Sequence, residues 1–219
     1  MQIKDRVKAQ LPIEDFSSYF VVADFDKTIT TGSSKTSWSI LAGSNLVPEE
    51  YVQERNAYYD TYRPIESDKS LDLEFRKAKV KEWFRLHVEL FIKYKLSEEV
   101  FEKAASDLRI MEFRNGAKEF LDRMHEEGVP VIIISAGIGN FIETFLKKNG
   151  CFHDNIFISS NKIIFENGVA SRIGANIVHS LNKNEVSLPE EIKAKIAGRS
   201  DVILLGDQPS DLLMVDETD

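Results

Sequence analysis

The chain has 219 residues, of which 42% are hydrophobic, a length that suits one sizeable core carrying an insertion rather than two large domains. Its formal net charge of -8 excludes a broad basic surface for a nucleic acid backbone. The only cysteine, Cys151, excludes a disulfide within the chain, and we expect its thiol to be buried. Residues 1–12 are too charged for a secretory signal and no apolar run could span a bilayer, so we expect a cytoplasmic protein.

The first predicted element is a buried strand at residues 19–25, YFVVADF, which ends in two carboxylates, Asp24 and Asp26. Residues 33–110 follow and contain charged, amphipathic segments with helical spacing and no strand-like run. We therefore predict a helical cap domain at 33–110, standing over the strand ends of a core domain formed by 1–32 and 111–219.

The second half of the chain alternates helical segments with apolar runs. A predicted helix at 116–128 precedes the run VPVIIIS at 129–135, and a second helix follows at 138–150. A hairpin with a turn at Asn167-Gly168 comes next, and then the run DVILLGD at 201–207. This alternation predicts an α/β fold with a parallel, doubly wound sheet.

Ligands of open parallel sheets gather at the C-terminal ends of the strands. Converging carboxylates there suit a hard cation such as Mg²⁺. A spacing of two sends Asp24 and Asp26 in roughly the same direction, so that one can attack a bound group while the other handles its proton. The alternative is that DFDKT is an exposed loop of solvated acids; a calcium-binding loop is excluded because Ile29 and Lys35 occupy its glycine and glutamate positions. The strand ends contribute Asp24, Asp26, Ser135, Ala136, Gly137, Gly206, Asp207 and Asp211.

Two further motifs carry the same prediction. SAGIGN, beginning at Ser135, offers a hydroxyl and the free N–H groups of the following helix to a phosphate, although it is also ordinary turn chemistry. It is not a dinucleotide fingerprint, because Ile142 stands where the third glycine is required. GDQPSD supplies Asp207 and Asp211, with Pro209 near the start of a helix.

Taken together, DFDKT, Ser135, a downstream lysine and GDQPSD resemble the four motifs of the haloacid dehalogenase-like phosphohydrolases. The stretches VVADFDKTIT, YRPIESD, VKEWF, VPVIIISAGIGN, LNKNE and VILLGDQPSDLLMVD resemble the cytosolic pyrimidine 5'-nucleotidase family more closely. The resemblance implies a Rossmann-like core with a helical cap inserted after the first strand. It also implies Mg²⁺-dependent hydrolysis of nucleoside 5'-monophosphates.

The resemblance assigns a role to each matching residue. Asp24 would be the nucleophile and a Mg²⁺ ligand. Asp26 would protonate the departing oxygen and then activate water, with its backbone carbonyl on the metal. Ser135, Ala136 and Gly137 would hold the phosphoryl group, and Lys183 would offset the charge of Asp24 and the phosphate. Asp207 and Asp211 would complete the metal site.

In the cap, the resemblance places nucleobase recognition on Glu66 and an aromatic platform on Trp83 and Phe84. The alternative is that at least one of these two aromatic residues packs in the core of the cap. The four histidines have no spacing that suits a transition metal, and we expect them to be surface or packing residues.

The leading hypothesis is therefore a Mg²⁺-dependent phosphatase that acts on small nucleoside 5'-monophosphates, pyrimidines favoured, through an aspartyl-phosphate. The alternatives are a related phosphatase acting on phosphoserine or 7-methyl-GMP, or a non-catalytic phosphate- or metal-binding module. Three stretches depart from the family pattern: TTGSSKTSWSILAGSN at the entry to the cap, Asn140, and Pro209-Ser210. The chain also stops at Asp219, soon after the fourth motif, which implies truncation or a bare sheet edge.

Overall fold

The computed structural model describes residues 15–107, 110–185 and 188–215. Its centre is a four-stranded parallel sheet in which Val21 pairs with Val131 on one side and with Ile203 on the other. The α/β fold with a parallel sheet, predicted from the apolar runs, is confirmed. The spatial order of the strands is β3 (Ile156–Asn161), β2 (Val131–Ile138), β1 (Tyr19–Ala23) and β6 (Asp201–Leu205).

Both faces of the central strands are buried, which explains their nearly continuous apolar sequence. On β1, Val21 and Ala23 face one hydrophobic core, whereas Phe20 and Val22 face a second core on the opposite side of the sheet. Three helices cover these faces: α5 (Ala117–Glu126) and α6 (Gly139–Lys148) on the first, and α7 (Glu190–Ile196) on the second.

The segment predicted to form a cap is helical. Its longest helix begins where the Asp72 side chain accepts a hydrogen bond from the backbone N–H of Phe75, which satisfies one of the free donors of the first turn. The domain limits of 33 and 110 stay a prediction. The helices in this segment are α1 (Ile40–Gly43), α2 (Glu49–Ser67), α3 (Leu73–Lys93) and α4 (Glu98–Ala105).

The predicted hairpin is present as β4 (Ile163–Glu166) and β5 (Val169–Ile173). Asn167 and Gly168 connect the strands with φ of 52° and 76°, both left-handed, as a two-residue hairpin turn of this kind requires. Strand β5 packs against α3, so the hairpin supports the inserted helices from the side of the sheet.

The prediction that the second strand ends at Ser135 is wrong. Strand β2 continues to Ile138, and its pairing with β3 shifts register between Ser135 and Ile138. Helix α6 starts only at Gly139. Ser135 and Gly137 are therefore held in an irregular strand by a neighbouring strand, not in a strand-to-helix turn.

The described residues contain no helix with both the length and the apolarity needed to cross a bilayer. Cys151 is buried, as expected. Within the described part of the chain β6 pairs with β1 alone. The predictions made for residues 1–12 and for the chain end at Asp219 lie outside the described residues.

Candidate active site

An ion-paired carboxylate lies at the C-terminal end of β1. Asp24 directly follows the strand, and its backbone N–H donates to the Leu205 carbonyl at 2.9 Å, which fixes it at the edge of the sheet. Its Oδ1 accepts a hydrogen bond from Lys183 Nζ at 2.6 Å, and both side chains are buried. Sequence alone offers many lysines for this role, and the fold brings Lys183 to the carboxylate.

Two acids from the end of β6 complete an acidic group. Single carboxylate oxygens of Asp24, Asp207 and Asp211 lie within 4.8 Å of one another, close enough to share a cation. Asp211 Oδ1 also accepts a hydrogen bond from Lys183 Nζ at 2.8 Å. The close approach depends on Gly206, because a Cβ there would lie 2.4 Å from Asp211 Cβ. An oxygen-only ligand set of this kind fits Mg²⁺.

The protonation of this group depends on Lys183. Burial raises the pKa of Asp24 to about 6, although the positive charge of Lys183 opposes the shift. Burial also disfavours the charged form of Lys183, but the two carboxylates outweigh it and raise the pKa of the amine. The ammonium group therefore remains charged, and it helps to keep Asp24 an anion at neutral pH, the form that a nucleophile requires.

Asp26 has a different environment from Asp24. Ser37 donates to its carboxylate from the backbone N–H at 3.1 Å and from Oγ at 3.0 Å. Burial raises the pKa of Asp26 to about 7, with the charge of Asp24 adding to the effect and the Ser37 hydrogen bonds opposing it. A carboxyl group with this pKa can both give and take a proton at neutral pH. The side chain of Asp26 is not part of the acidic group formed by Asp24, Asp207 and Asp211. The predicted contribution of Asp26 to a metal site is its backbone carbonyl.

We expect Asp26→Asn to stabilise the metal-free protein more at pH 7.5 than at pH 5.5. A carboxyl whose pKa is raised by folding contributes stability at low pH that is lost as the pH rises towards 7. The difference should be at most about 2 kcal/mol, or roughly 5 °C in melting temperature, because Asp26 retains some solvent contact. Thermal melts of both proteins at the two pH values measure it. Burial lowers the pKa of His87 to about 3, so its contribution to stability changes with pH in the opposite direction. Both proteins contain His87, so this contribution cancels when their melting temperatures are compared. An equal increase in melting temperature at both pH values would contradict the raised pKa of Asp26.

The irregular end of β2 forms a candidate phosphate-binding segment. Ser135 is buried, and its Oγ accepts a hydrogen bond from the Gly137 backbone N–H at 3.0 Å, which leaves its own proton free to donate. The Ala136 carbonyl is held from two sides, by Asn161 Nδ2 and by Trp38 Nε1, each at 2.8 Å. Asn161 also binds the backbone of Val178, so it ties this segment to the loop that leads to Lys183.

Gly137→Ala is expected to reduce stability by about 1 to 3 kcal/mol and any catalytic activity by at least about tenfold. A Cβ at this position would lie 2.2 Å from Ser37 Oγ and 3.1 Å from Asp26 Oδ2. Ser37 would have to move and release Asp26. Gly32→Ala is the matched control, because a Cβ at Gly32 meets no atom within 4 Å. Melting curves and turnover of the two variants check the prediction, and equal behaviour of both would contradict it.

A cavity of about 280 Å³ extends from the acids to the inserted helices. Trp38 and Phe84 form part of its wall, with ring centroids 4.4 Å apart. Trp83 and Phe84 also belong to a hydrophobic cluster with Tyr62, so they pack among the inserted helices and line the cavity as well. Their role as a platform for a base stays a prediction. The residues to which the family resemblance assigned a role all line this one cavity: Asp24, Asp26, Glu66, Trp83, Phe84, Ser135, Ala136, Gly137, Lys183, Asp207 and Asp211.

Glu66 lies in the cavity wall with its carboxylate already engaged. Arg63 Nη1 binds Oε2 at 2.5 Å, and Ser180 Oγ donates to Oε1 at 2.5 Å. The Glu66 side chain is only 11% exposed. Its negative charge is thus shared with Arg63 before any ligand binds.

Sequence reasoning missed several residues of the cavity. Ser37 and Trp38 lie in the stretch that departs from the family pattern, and Arg55 lies in a charged helix. No motif therefore marked these three residues. His87 was expected to be a packing or surface residue; it is buried and also lines the cavity. The tryptophan at position 38 was the one available signal, because an isolated large aromatic in a serine-rich loop needs a place to pack.

Comparison with known proteins gives a consistent result. The model of the pyrimidine 5'-nucleotidase family (UMPH-1) matches residues 25–219. The 7-methylguanosine phosphate-specific 5'-nucleotidase of Homo sapiens is 30% identical over 203 residues, which cover 90% of this chain and 67% of that protein.

Solved structures show the same relationship. A crystal structure of cytosolic 5'-nucleotidase IIIB bound to cytidine matches with a TM-score of 0.80 and 27% identity, over 90% of this chain and 68% of that one. A phosphoserine phosphatase carrying a phospho-aspartyl intermediate analogue matches with a TM-score of 0.56 and 22% identity, over 89% and 80% of the two chains, which shows the shared fold.

Proposed function

Because the chain belongs to the UMPH-1 family of pyrimidine 5'-nucleotidases and has the fold of haloacid dehalogenase-like phosphatases, we propose that it hydrolyses nucleoside 5'-monophosphates, pyrimidines favoured, with Mg²⁺. The observation that carries the proposal is one cavity with a buried Asp24–Lys183 pair and two further acids at one end and aromatic walls at the other. Such a cavity suits a ligand with a phosphate and a flat apolar ring.

In the proposed reaction Asp24 attacks the phosphorus atom while the bond to the ribose 5'-oxygen breaks. Protonated Asp26 gives its proton to the departing oxygen. A water molecule then gives a proton to the ionised Asp26 and attacks the same phosphorus, which releases phosphate and restores Asp24. The pKa of about 7 makes Asp26 suitable for both transfers.

The remaining residues bind and orient the phosphoryl group. Lys183 offsets the charge that Asp24 and the phosphate share, and the Ser135 hydroxyl donates to a phosphoryl oxygen. Asp24, Asp207 and Asp211 would hold Mg²⁺, together with the backbone carbonyl of Asp26. When bound, the ion would neutralise charge on the phosphate oxygens.

The preference for pyrimidines is supported by the family match and by the cytidine bound to cytosolic 5'-nucleotidase IIIB. The second candidate is 7-methyl-GMP, because relatives from Homo sapiens and Xenopus laevis carry that specificity in their names. The aromatic walls argue against phosphoserine, which has no ring to stack.

The name of the cytosolic relative supports a cytoplasmic location, and we propose residues 33–110 as the cap.

The test is phosphate release from UMP, CMP, 7-methyl-GMP, GMP, AMP and O-phosphoserine, with added Mg²⁺ and with a chelator. We expect turnover of UMP or CMP that the chelator abolishes. Turnover of phosphoserine alone would reject the nucleotide assignment, and no turnover of any ester would leave a binding module as the better description.

A further inference from the structure

A buried arginine without an acidic partner lies in the wall of the cavity. Arg55 is 9% exposed, and its guanidinium donates to Ser39 Oγ at 2.6 Å and to Asn56 Oδ1 at 3.0 Å. No carboxylate of the described residues lies within ion-pair distance of it, and the exposed Asp60 acts on it only from farther away. The guanidinium also lies over the Tyr59 ring, 5.2 Å from the centroid.

The arginine has unused hydrogen-bond donors. Within the part of the chain that the structure describes, its two hydrogen bonds engage two of the five N–H groups that a guanidinium carries, and its Nε is buried without a partner. A buried charge lacking both a counter-ion and full hydrogen bonding is costly. An acceptor atom of a ligand in the cavity would relieve that cost.

Two neighbouring side chains show the same deficit. Trp83 Nε1, which can only donate, and His87 Nδ1 are buried without a hydrogen-bond partner in the structure, and both residues line the cavity. Their rings lie 5.7 Å apart on one side of α3. Arg55 and Trp83 therefore offer unpaired donors at this end of the cavity, whereas His87 Nδ1 can donate or accept according to its tautomer.

Glu66, the acidic side chain that the described residues place at this end, does not restore the balance. Glu66 accepts from Arg63 and from Ser180, so its negative charge is already matched by a cation. Arg55 adds a positive charge that no carboxylate of the described residues matches in an ion pair. A positively charged base would meet repulsion here, and a base edge rich in N–H donors would meet other donors.

We propose that Arg55 determines base selectivity in this cavity by binding carbonyl oxygens of a neutral base, uracil foremost, and by rejecting cationic 7-methylguanine. This inference rests on the proposed function and refines its substrate class. Uracil presents two carbonyl acceptors and one ring N–H, whereas 7-methylguanine carries a positive charge and several N–H donors. The inference makes UMP the preferred substrate over 7-methyl-GMP, in contrast to the specificity that the names of several relatives state.

The experiment compares kcat/KM for UMP and for 7-methyl-GMP, at a pH where the methylated base is cationic. We expect the wild type to favour UMP by at least tenfold, and Arg55→Leu to reduce that ratio at least tenfold, chiefly through KM for UMP. Arg55→Lys, which keeps the charge, should retain most of the preference. Arg85→Leu, which removes an exposed arginine of the same cap, is the matched control and should leave the ratio unchanged.

A binding assay makes the test independent of turnover. Both tryptophans of the chain, Trp38 and Trp83, line the cavity, so their fluorescence reports the binding of uridine or 7-methylguanosine directly. We expect uridine to bind more tightly, and Arg55→Leu to weaken its binding at least tenfold. If Arg55→Leu does not fold, Arg55→Gln removes the charge but keeps a polar side chain with N–H donors, and should reduce the same preference.

The outcomes separate the two proposals. No phosphate release from any nucleotide by the wild type would defeat the proposed function, while the uridine titration would still test Arg55. Wild-type preference for 7-methyl-GMP, or an Arg55→Leu ratio equal to that of Arg85→Leu, would overturn the role of Arg55 and leave the nucleotidase assignment intact.

Discussion

Replacing Asp24 with asparagine is expected to abolish phosphate release, with a fall in kcat of about ten-thousandfold or more. Asparagine keeps the shape of the side chain but has no anionic oxygen to attack phosphorus. The measurement is phosphate release from UMP under single-turnover and steady-state conditions with Mg²⁺. A variant within tenfold of the wild type would show that Asp24 is not the nucleophile.

We expect Asp24→Asn to lose phosphate release while it keeps the fold. Retention of the fold is the control for this experiment. In Asp24→Asn, Lys183 keeps its hydrogen bond to Asp211 at 2.8 Å, so the buried amine still has a partner. Burial also raises the pKa of Asp24, so removing its charge relieves an unfavourable contribution at neutral pH. We therefore expect an unchanged or higher melting temperature for the metal-free variant, and retained binding of uridine by tryptophan fluorescence.

The structure joins the two ends of the cavity through one short turn. The 3-10 helix Ser37–Ser39 holds Asp26 through Ser37, contributes Trp38 to the aromatic wall, and binds Arg55 through Ser39 Oγ. Trp38 Nε1 additionally holds the Ala136 carbonyl. The position of the proposed proton donor is thus coupled to the shape of the proposed base pocket, and a ligand that displaces Trp38 would be expected to alter turnover as well as binding.

The acidic end of the cavity could be predicted from the sequence because parallel strands carry their polar ends to one edge of the sheet. Asp24 and Asp207 follow apolar runs, and once the runs are recognised as neighbouring strands, proximity of the acids is implied. Lys183 was assigned by resemblance alone. The approach of Lys183 to Asp24 depends on the loop from residue 174 onwards, which Asn161 ties to β2. The sequence of this loop has no hydrophobic periodicity from which its path could be predicted.

The aromatic end, where we propose that the base binds, could not be predicted in the same way. Arg55 lies in a helix whose sequence reads as charged and solvated, and only the packing of α2 against α3 makes it a buried residue of the cavity. The Arg63 partner of Glu66 is three residues away on the same helix, a spacing that usually marks a surface pair. The β2 extension was missed because Ala136 and Gly137 have low strand propensity, and pairing with β3 overrides it.

The second large effect is expected from Lys183→Met, which should destabilise the metal-free protein by about 3 to 5 kcal/mol, or roughly 10 °C in melting temperature. Lys183 Nζ lies 2.6 Å from Asp24 Oδ1 and 2.8 Å from Asp211 Oδ1, and all three side chains are buried. Methionine fills similar volume but leaves two buried carboxylates without their cation. The destabilisation should grow as the pH rises, because protonation of the acids relieves it at low pH.

Lys193→Met is the matched control, since Lys193 pairs with Glu190 at 2.8 Å on the exposed surface of α7, where such pairs contribute about 0 to 1 kcal/mol. Mg²⁺ should restore part of the melting temperature of Lys183→Met, because a cation held by Asp24, Asp207 and Asp211 replaces the missing positive charge. It should not restore turnover, which we expect to fall about a thousandfold, because the phosphoryl group loses the charge that Lys183 supplies. Equal melting of the two lysine variants without Mg²⁺ would refute the role of Lys183 as the buried counter-ion, and near-normal turnover of Lys183→Met would refute its role at the phosphate.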